Sequence, residues 1–245
     1  MERIVYEMMA AQDERHWWYR ARREVLAALL RRRVALPADA KILEIGCGTG
    51  HNFAMLAEFG HVDGLELDDE ARAVAEKRLG RRVLDSPLPE LAGVPEAHYD
   101  LIAALDVIEH IDDDHSAVAA IASRLKPDGR FIATVPAHQW VWSAHDVVSH
   151  HKRRYSKRSL RQLIEGAPLR VEAIGYFNSL LFPIALAQRL SSKALRKEDT
   201  GLGMPAEPIN SMLERIFAAE RRLIGRVPLP PGLSLFAIAS LSRQS

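Results

Sequence analysis

The segment Glu44-Ile45-Gly46-Cys47-Gly48-Thr49-Gly50 follows a short apolar run from Lys41 and opens a helical pattern. Glycines let a backbone turn tightly and approach a ligand closely. A helix start presents free N–H groups. A dinucleotide site would use G-x-G-x-x-G, with pyrophosphate on that helix end. Here the third glycine comes one residue early, and Glu44 stands two residues before the first. A carboxylate is badly placed beside a pyrophosphate but suits a ligand carrying an ammonium group. The spacing argues against a nicotinamide-dependent oxidoreductase. Cys47 lies inside the turn without a patterned His partner, so it reads as a small filler and not as a nucleophile.

More acids fall at the ends of the following apolar runs. Glu66 closes the second run, sixteen residues after Gly50. An acid at that place can accept both hydroxyls of a ribose. Asp85 follows the third run and could meet an adenine amino group, and Asp106 ends the fourth. Open α/β sheets bind ligands outside the carboxyl ends of their strands. Together these residues describe a ligand with an amino acid part, a ribose and an adenine, and no phosphate.

A second cluster follows the fifth run, in AHQWVWSAHDVVSHHKRRY. Histidine accepts a proton near neutrality, so His145 beside Asp146, or His151, is a candidate general base for a hydroxyl acceptor. The alternative is that these histidines fold the loop by hydrogen bonding. Arg153 and Arg154 could clamp a phosphate or carboxylate, or form a solvated basic face. Trp140 and Trp142 point the same way if the chain is extended there, as walls for a flat or apolar acceptor. With Tyr155 these form the acceptor-binding set. Three histidines and an aspartate within seven residues raise the question of a metal. Their spacing matches no ligand pattern, and no metal site is expected.

The elements that must position these residues alternate. Residues 13–34 read as an amphipathic helix built on Trp18, Val25, Leu26, Leu29 and Leu30, with Arg31 to Arg33 in its last turn. Then come KILEI, HVDGLEL, RRVL, YDLIAALDVI and RFIATVP as strands. Helices lie between them, the last running through Asp112–Asp114 and stopping at Pro127–Gly129. Such alternation argues a parallel sheet with helices on both faces. LRVEAIGYF is a sixth strand. Two apolar helical stretches at about 179–195 and 209–225 precede a last strand, LSLFAIASL.

The set ILEIGCGTG, GLELD, DLIAALDVIEHI and LKPDGRFIATVP, in that order and spacing, resembles the class I S-adenosylmethionine-dependent methyltransferases across about residues 40–136. LKPDG stands where the family often has two glycines. The resemblance implies a Rossmann-like α/β fold with a seven-stranded sheet, mostly parallel with an antiparallel last strand. It implies S-adenosyl-L-methionine as cofactor, with Gly46, Gly48 and Gly50 on its methionine part. Glu66 would then bind ribose, Leu67 would pack on adenine, and Asp85 with Ser86 would meet the amino edge. The His-x-Arg-Arg-Tyr element resembles one branch of this family. In that branch the segment His16-Trp17-Trp18-Tyr19 corresponds to a lid over the cofactor.

The expected organisation is a single methyltransferase domain over 1–245. It comprises a helical lid (1–36), a cofactor-binding core (37–136), an acceptor loop with the sixth strand (137–178), a helical insertion (179–230) and the last strand (231–245). The chain of 245 residues, 48% hydrophobic and 27% charged, reads as one ordinary globular domain. A net charge of +1 gives no case for nucleic acid. One cysteine and a charged start favour a cytoplasmic protein. The apolar stretch around Leu180 to Leu186 suggests four readings: plain core, a wall for a lipid-like acceptor, peripheral membrane contact or a homodimer face. The expected reaction is methyl transfer, chiefly to oxygen of a small-molecule, sugar or lipid-linked acceptor. A non-catalytic binding protein on the same fold is the rival.

Overall fold

A computed structural model describes residues 10–194 and 203–242. Among them a six-stranded sheet runs in the order β2-β1-β3-β4-β6-β5. The strands are β1 (Lys41–Ile45), β2 (His61–Leu65), β3 (Tyr99–Leu105), β4 (Leu125–Pro136), β5 (Leu169–Phe177) and β6 (Ser234–Leu241). The first four are parallel, while β6 lies antiparallel between β4 and β5. The antiparallel last strand is as expected. Six of the seven expected strands form: RRVL, the third in chain order, makes only an isolated bridge, Leu84 to Leu65, at the sheet's edge.

Each sheet face carries its own apolar layer. One layer is built on α1 (Trp17–Arg33), whose Val25, Leu26, Leu29 and Leu30 are buried against Ile42, Leu101 and Ile238. Full burial of each such side chain stabilises by about 1.5–3 kcal/mol. The other layer packs Ile102, Phe131 and Leu235 against α4 (Asp114–Arg124) and α6 (Lys157–Glu165). The layer of α1 also takes α2 (Phe53–Leu56) and α3 (Asp69–Leu79), through Phe53, Leu56 and Ala75. The side chain of Asp68 caps α3 by accepting the N–H groups of Glu70 and Ala71.

The helical insertion contributes α7 (Phe182–Ala194) and α8 (Glu207–Ala218). Residue 195, at the end of the first apolar stretch, and residues 196–202 after it lie outside the described residues. α8 packs along α1: Asn210 Oδ1 accepts the N–H of Trp17 at 2.9 Å, and Phe217 meets the Trp17 ring edge-on. Glu220, fully buried, accepts the N–H groups of Asn178, Ser179 and Leu180, which ties the insertion to the end of β5. Leu181, Phe217, Ala218 and Ile224 of this region are buried in the core. Leu180, Ile184, Ile209 and Met212 remain exposed.

Strand β4 begins earlier than expected. Leu125 pairs with Tyr99, and after a register shift Arg130 pairs with Leu101. LKPDG is thus an irregular start of the strand and not the end of a helix, because α4 already stops at Arg124.

Candidate active site

The sheet order reverses at β1, with β2 on one side and β3 on the other. That switch point opens a crevice at the carboxyl ends of the strands. The glycine turn sits there. Gly46, Gly48 and Gly50 all take positive φ. A Cβ on Gly46 would lie 2.6 Å from Val107 Cγ2, and one on Gly50 would lie 2.5 Å from the Phe53 ring. Only glycine satisfies both backbone and space at these positions. Cys47 faces away from the crevice into the core, and burial pushes its thiol well up. Its side chain is a packing group, and only its backbone belongs to the turn.

Below the turn lies Glu44, 1% exposed. Its Oε1 accepts from Asn52 Nδ2 at 2.7 Å, while Oε2 has no hydrogen-bond partner. Burial pushes its carboxyl up to about 8, against the opposing pull of the Asn52 bond. A buried carboxylate oxygen without a donor is costly unless a ligand supplies one.

Glu66 is drawn under the same turn. It accepts the N–H of Gly48 at 2.8 Å and those of Leu67 and Asp68 at 2.9 Å. It therefore fixes the turn against the end of β2. Leu67 beside it is 54% exposed, an apolar side chain left open at the crevice. Asp85 is exposed, 3.6 Å from Arg82, and the buried hydroxyl of Ser86 has no partner.

Asp106 follows β3 in the left-handed region, φ 61°. Its Oδ2 accepts from Arg22 at 2.7 Å, and Arg22 also donates to Thr134 Oγ1 at 2.8 Å. Arg22 is fully buried and lies 5.0 Å from the Trp18 ring centroid. The start of α1 is thereby pinned to the strand ends, with Trp18 and Tyr19 at the crevice. Asp13 strengthens this closure by accepting from Arg78 at 2.6 Å and from the Thr49 hydroxyl of the glycine turn at 3.1 Å. Sequence reasoning gave no role to Arg22 or Asp13. An arginine on the apolar stripe of an amphipathic helix was the available signal.

The loop after β4 is closed by a bridge between Ala137 and Tyr155. Trp140 lies in a single tight turn, Gln139–Val141, and not in an extended chain. Trp140 and Trp142 therefore do not form the expected matched pair of walls. Trp140 is exposed beside Phe182. Helix α5 (Ala144–Val148) carries Asp146 at a capping position, bonded to the N–H of Ser143.

Arg153 and Arg154 of this loop are each engaged by a carboxylate of the chain. Arg154 is buried, donating from Nε to Asp146 Oδ1 at 2.7 Å, from Nη2 to Oδ2 at 2.9 Å, and to the Ala137 carbonyl. Arg153 pairs with Asp114 at 2.7 Å, and the buried Tyr155 hydroxyl donates to the same carboxylate. A clamp for an acceptor anion is not available from these groups, because carboxylates of the chain already engage them. Asp146 is likewise a positioning residue and not a base. Burial would raise its carboxyl, but the bonds from His151 and Arg154 hold it well below the usual range.

Those bonds orient His151. Its Nδ1 is 2.8 Å from Asp146 Oδ1, and its Nε2 is 4.0 Å from Glu109 Oε1. Glu109 is fully buried with neither carboxylate oxygen hydrogen-bonded. The His110 ring packs edge-on to His151 at 4.8 Å, and His145 lies 6.0 Å from His151. Burial, and then the neighbouring Asp106 charge, raise Glu109 well above the carboxylate range. Burial, and then His151, lower His110 to about 4. Glu109 and His110 lie just past the run YDLIAALDVI, and sequence reasoning gave them no role. Their signal was two proton-carrying side chains in succession just past Asp106.

A switch-point crevice with a glycine turn, an unpaired buried acid beneath it and a second acid at the end of β2 defines the class I methyltransferase arrangement. Comparison with known proteins agrees. Residues 17–174 match the family described as "Methyltransferase domain", and the chain belongs to that family. A protein of Mycolicibacterium smegmatis named a probable S-adenosylmethionine-dependent methyltransferase is 30% identical over 170 residues, 67% of this chain and 64% of its own length. The ubiquinone biosynthesis O-methyltransferase of Nitrosospira multiformis is 36% identical over 103 residues, 40% of this chain and 43% of its own. The matches thus span less than two thirds of these relatives. An S-adenosylmethionine-dependent methyltransferase structure from Mesorhizobium loti superposes with a TM-score of 0.59 at 15% identity, covering 93% of this chain and 99% of that one. That likeness concerns the fold.

The cofactor of the family is S-adenosyl-L-methionine, and the crevice suits it. Glu44 Oε2 lacks a donor that an ammonium would supply, the turn has room for backbone approach only, and Leu67 offers an open apolar face.

Proposed function

We propose that the protein transfers a methyl group from S-adenosylmethionine to an oxygen of a small-molecule, sugar or lipid-linked acceptor. The cofactor supplies a methyl carbon activated by its sulfonium. The protein's tasks are then to align an acceptor oxygen, exclude water and ease loss of the hydroxyl proton. Alignment alone can supply several kcal/mol. The observation that carries the reading is the buried Glu44 oxygen left without a donor under the glycine turn.

The oxygen assignment rests on the second cluster. Glu109, His110, His145 and His151 gather imidazole and carboxylate groups beyond Asp106, where a hydroxyl proton needs a destination. Relatives named O-methyltransferases over 40% of the chain favour the same reading. The exposed apolar groups Trp140, Leu180 and Ile184 favour an acceptor with an apolar portion.

The test is transfer of labelled methyl from S-adenosylmethionine to matched hydroxyl, carboxyl, amine and activated-carbon acceptors, with products identified by mass. An O-methyl product is expected. Transfer to amines or carbon alone would overturn the oxygen assignment, and absence of S-adenosylhomocysteine binding would overturn the whole reading.

A further inference from the structure

We infer that Glu109, His110 and His151 form a binding site for one divalent first-row transition cation beside the methyl-transfer crevice. One ligand atom from each of the three residues lies within 4.8 Å of the others. Around a zinc-sized ion such atoms stand about 3–3.5 Å apart, so small side-chain rotations close the set. Two imidazoles and a carboxylate are the donor set of catalytic zinc and non-haem iron sites, which keep positions open for a substrate. Magnesium and calcium favour all-oxygen sets.

Three independent features point to a cation and not to a plain hydrogen-bonded cluster. Glu109 is fully buried, and neither of its oxygens has a donor. A buried carboxyl group with no hydrogen-bond partner is costly to desolvate, and a coordinated metal offsets that cost. His151 has its Nδ1 on Asp146, which leaves Nε2 turned to Glu109. This is the carboxylate–histidine orientation that accompanies metal ligation. Asp146 is in turn fixed by both arms of Arg154. His110 is also held from behind, by a hydrogen bond to the backbone of His150. That residue adopts φ 56°, and the N–H of Lys152 donates to the Glu109 carbonyl at 2.7 Å, so the loop is folded onto the cluster.

The cation's open positions would take acceptor oxygens, and coordination makes a hydroxyl proton easier to lose to water. This role rests on the oxygen-acceptor reading above; the binding of the metal does not.

The experiment uses untagged full chain stripped with a chelator and titrated with Co2+, followed by calorimetry and visible absorption. One equivalent is expected, with ligand-field bands of a nitrogen–oxygen site, displaced by Zn2+. Glu109→Gln and His151→Ala should each weaken Co2+ by tenfold or more. Asp146→Asn, which touches no metal, should weaken it by about 10–100-fold. In the wild-type protein, Co2+ should broaden the ring resonances of His110 and His151 and spare the exposed His61. This arm does not depend on any variant folding. Absence of a one-equivalent site, or broadening of other histidines in place of these two, would overturn the assignment. S-adenosylhomocysteine binding on the same samples separates the two readings. Cofactor binding without cobalt binding removes the metal site alone, whereas cobalt binding without cofactor binding removes the methyltransferase reading alone.

Discussion

Arg154 grips Asp146 with two parallel bonds, Nε to Oδ1 at 2.7 Å and Nη2 to Oδ2 at 2.9 Å, and both side chains are buried. The pair holds the loop after β4 in one shape and passes that order to His151 through the second bond on Oδ1. Removing one member leaves a buried charge uncompensated, which costs about 3–5 kcal/mol. Arg154→Ala should therefore lower stability by that order in urea unfolding. Arg154→Lys should recover little, because an ammonium cannot serve both oxygens in plane. Unchanged midpoints for both variants would show that the loop holds its shape without this pair.

The Arg22–Asp106 pair makes the matching prediction at the other wall. Arg22 bonds Asp106 and Thr134 from within the core-facing side of α1. Arg22→Met keeps much of the stem's volume but leaves Asp106 without its cation. We predict a stability loss of about 3 kcal/mol or more in thermal or urea unfolding. Cofactor affinity should fall as well, since the start of α1 loses its anchor at the strand ends. A variant as stable as the wild type, with full affinity, would show that α1 is held by its apolar face alone.

How much of this was legible in the sequence follows from the distances involved. The glycine turn, Glu44 and Glu66 could be read because turn, strand end and helix start are local and sequential. The reduced third strand could not, since whether RRVL pairs depends on the neighbouring edge, and only Leu84 reaches Leu65. Arg153, Arg154 and Tyr155 looked available because their partners Asp114 and Asp146 lie on other elements. Trp140 and Trp142 were placed by assuming an extended chain, which the Gln139–Val141 turn denies. The Glu109–His110–His151 cluster joins a strand end to a loop far along the chain, and no spacing rule anticipates it.

Gly46 tests the turn itself. Its φ of +63° and the 2.6 Å approach of Val107 Cγ2 to a built Cβ both exclude a side chain. Gly46→Ala should lower S-adenosylhomocysteine affinity at least tenfold, which is about 1.4 kcal/mol. Adding Val107→Ala should relieve the clash but leave the strained φ, so recovery should be partial. Calorimetric affinities of the two variants decide this. Full binding by Gly46→Ala would place the ligand elsewhere.

Glu44 gives a prediction in pH. Its carboxyl in the folded, ligand-free protein is raised to about 8 by burial. A carboxyl with a raised folded pKa contributes its stabilisation fully below its ordinary pKa. That contribution is lost as pH rises through the folded value. Stability should therefore decline between about pH 4.5 and 8, within the window set by this shift. A ligand ammonium reverses the preference, because it favours the ionised acid. Below about pH 8 a proton must leave Glu44 when S-adenosylhomocysteine binds. Affinity should then rise with pH by up to about tenfold per unit and level off above the raised value. Calorimetry at pH 7 in buffers of differing ionisation enthalpy should show release of nearly one proton by this linkage. Glu44→Gln should bind more weakly and lose both the proton release and the pH slope. Wild-type binding without proton release would mean that no ammonium reaches this carboxylate, and the crevice would need a different ligand.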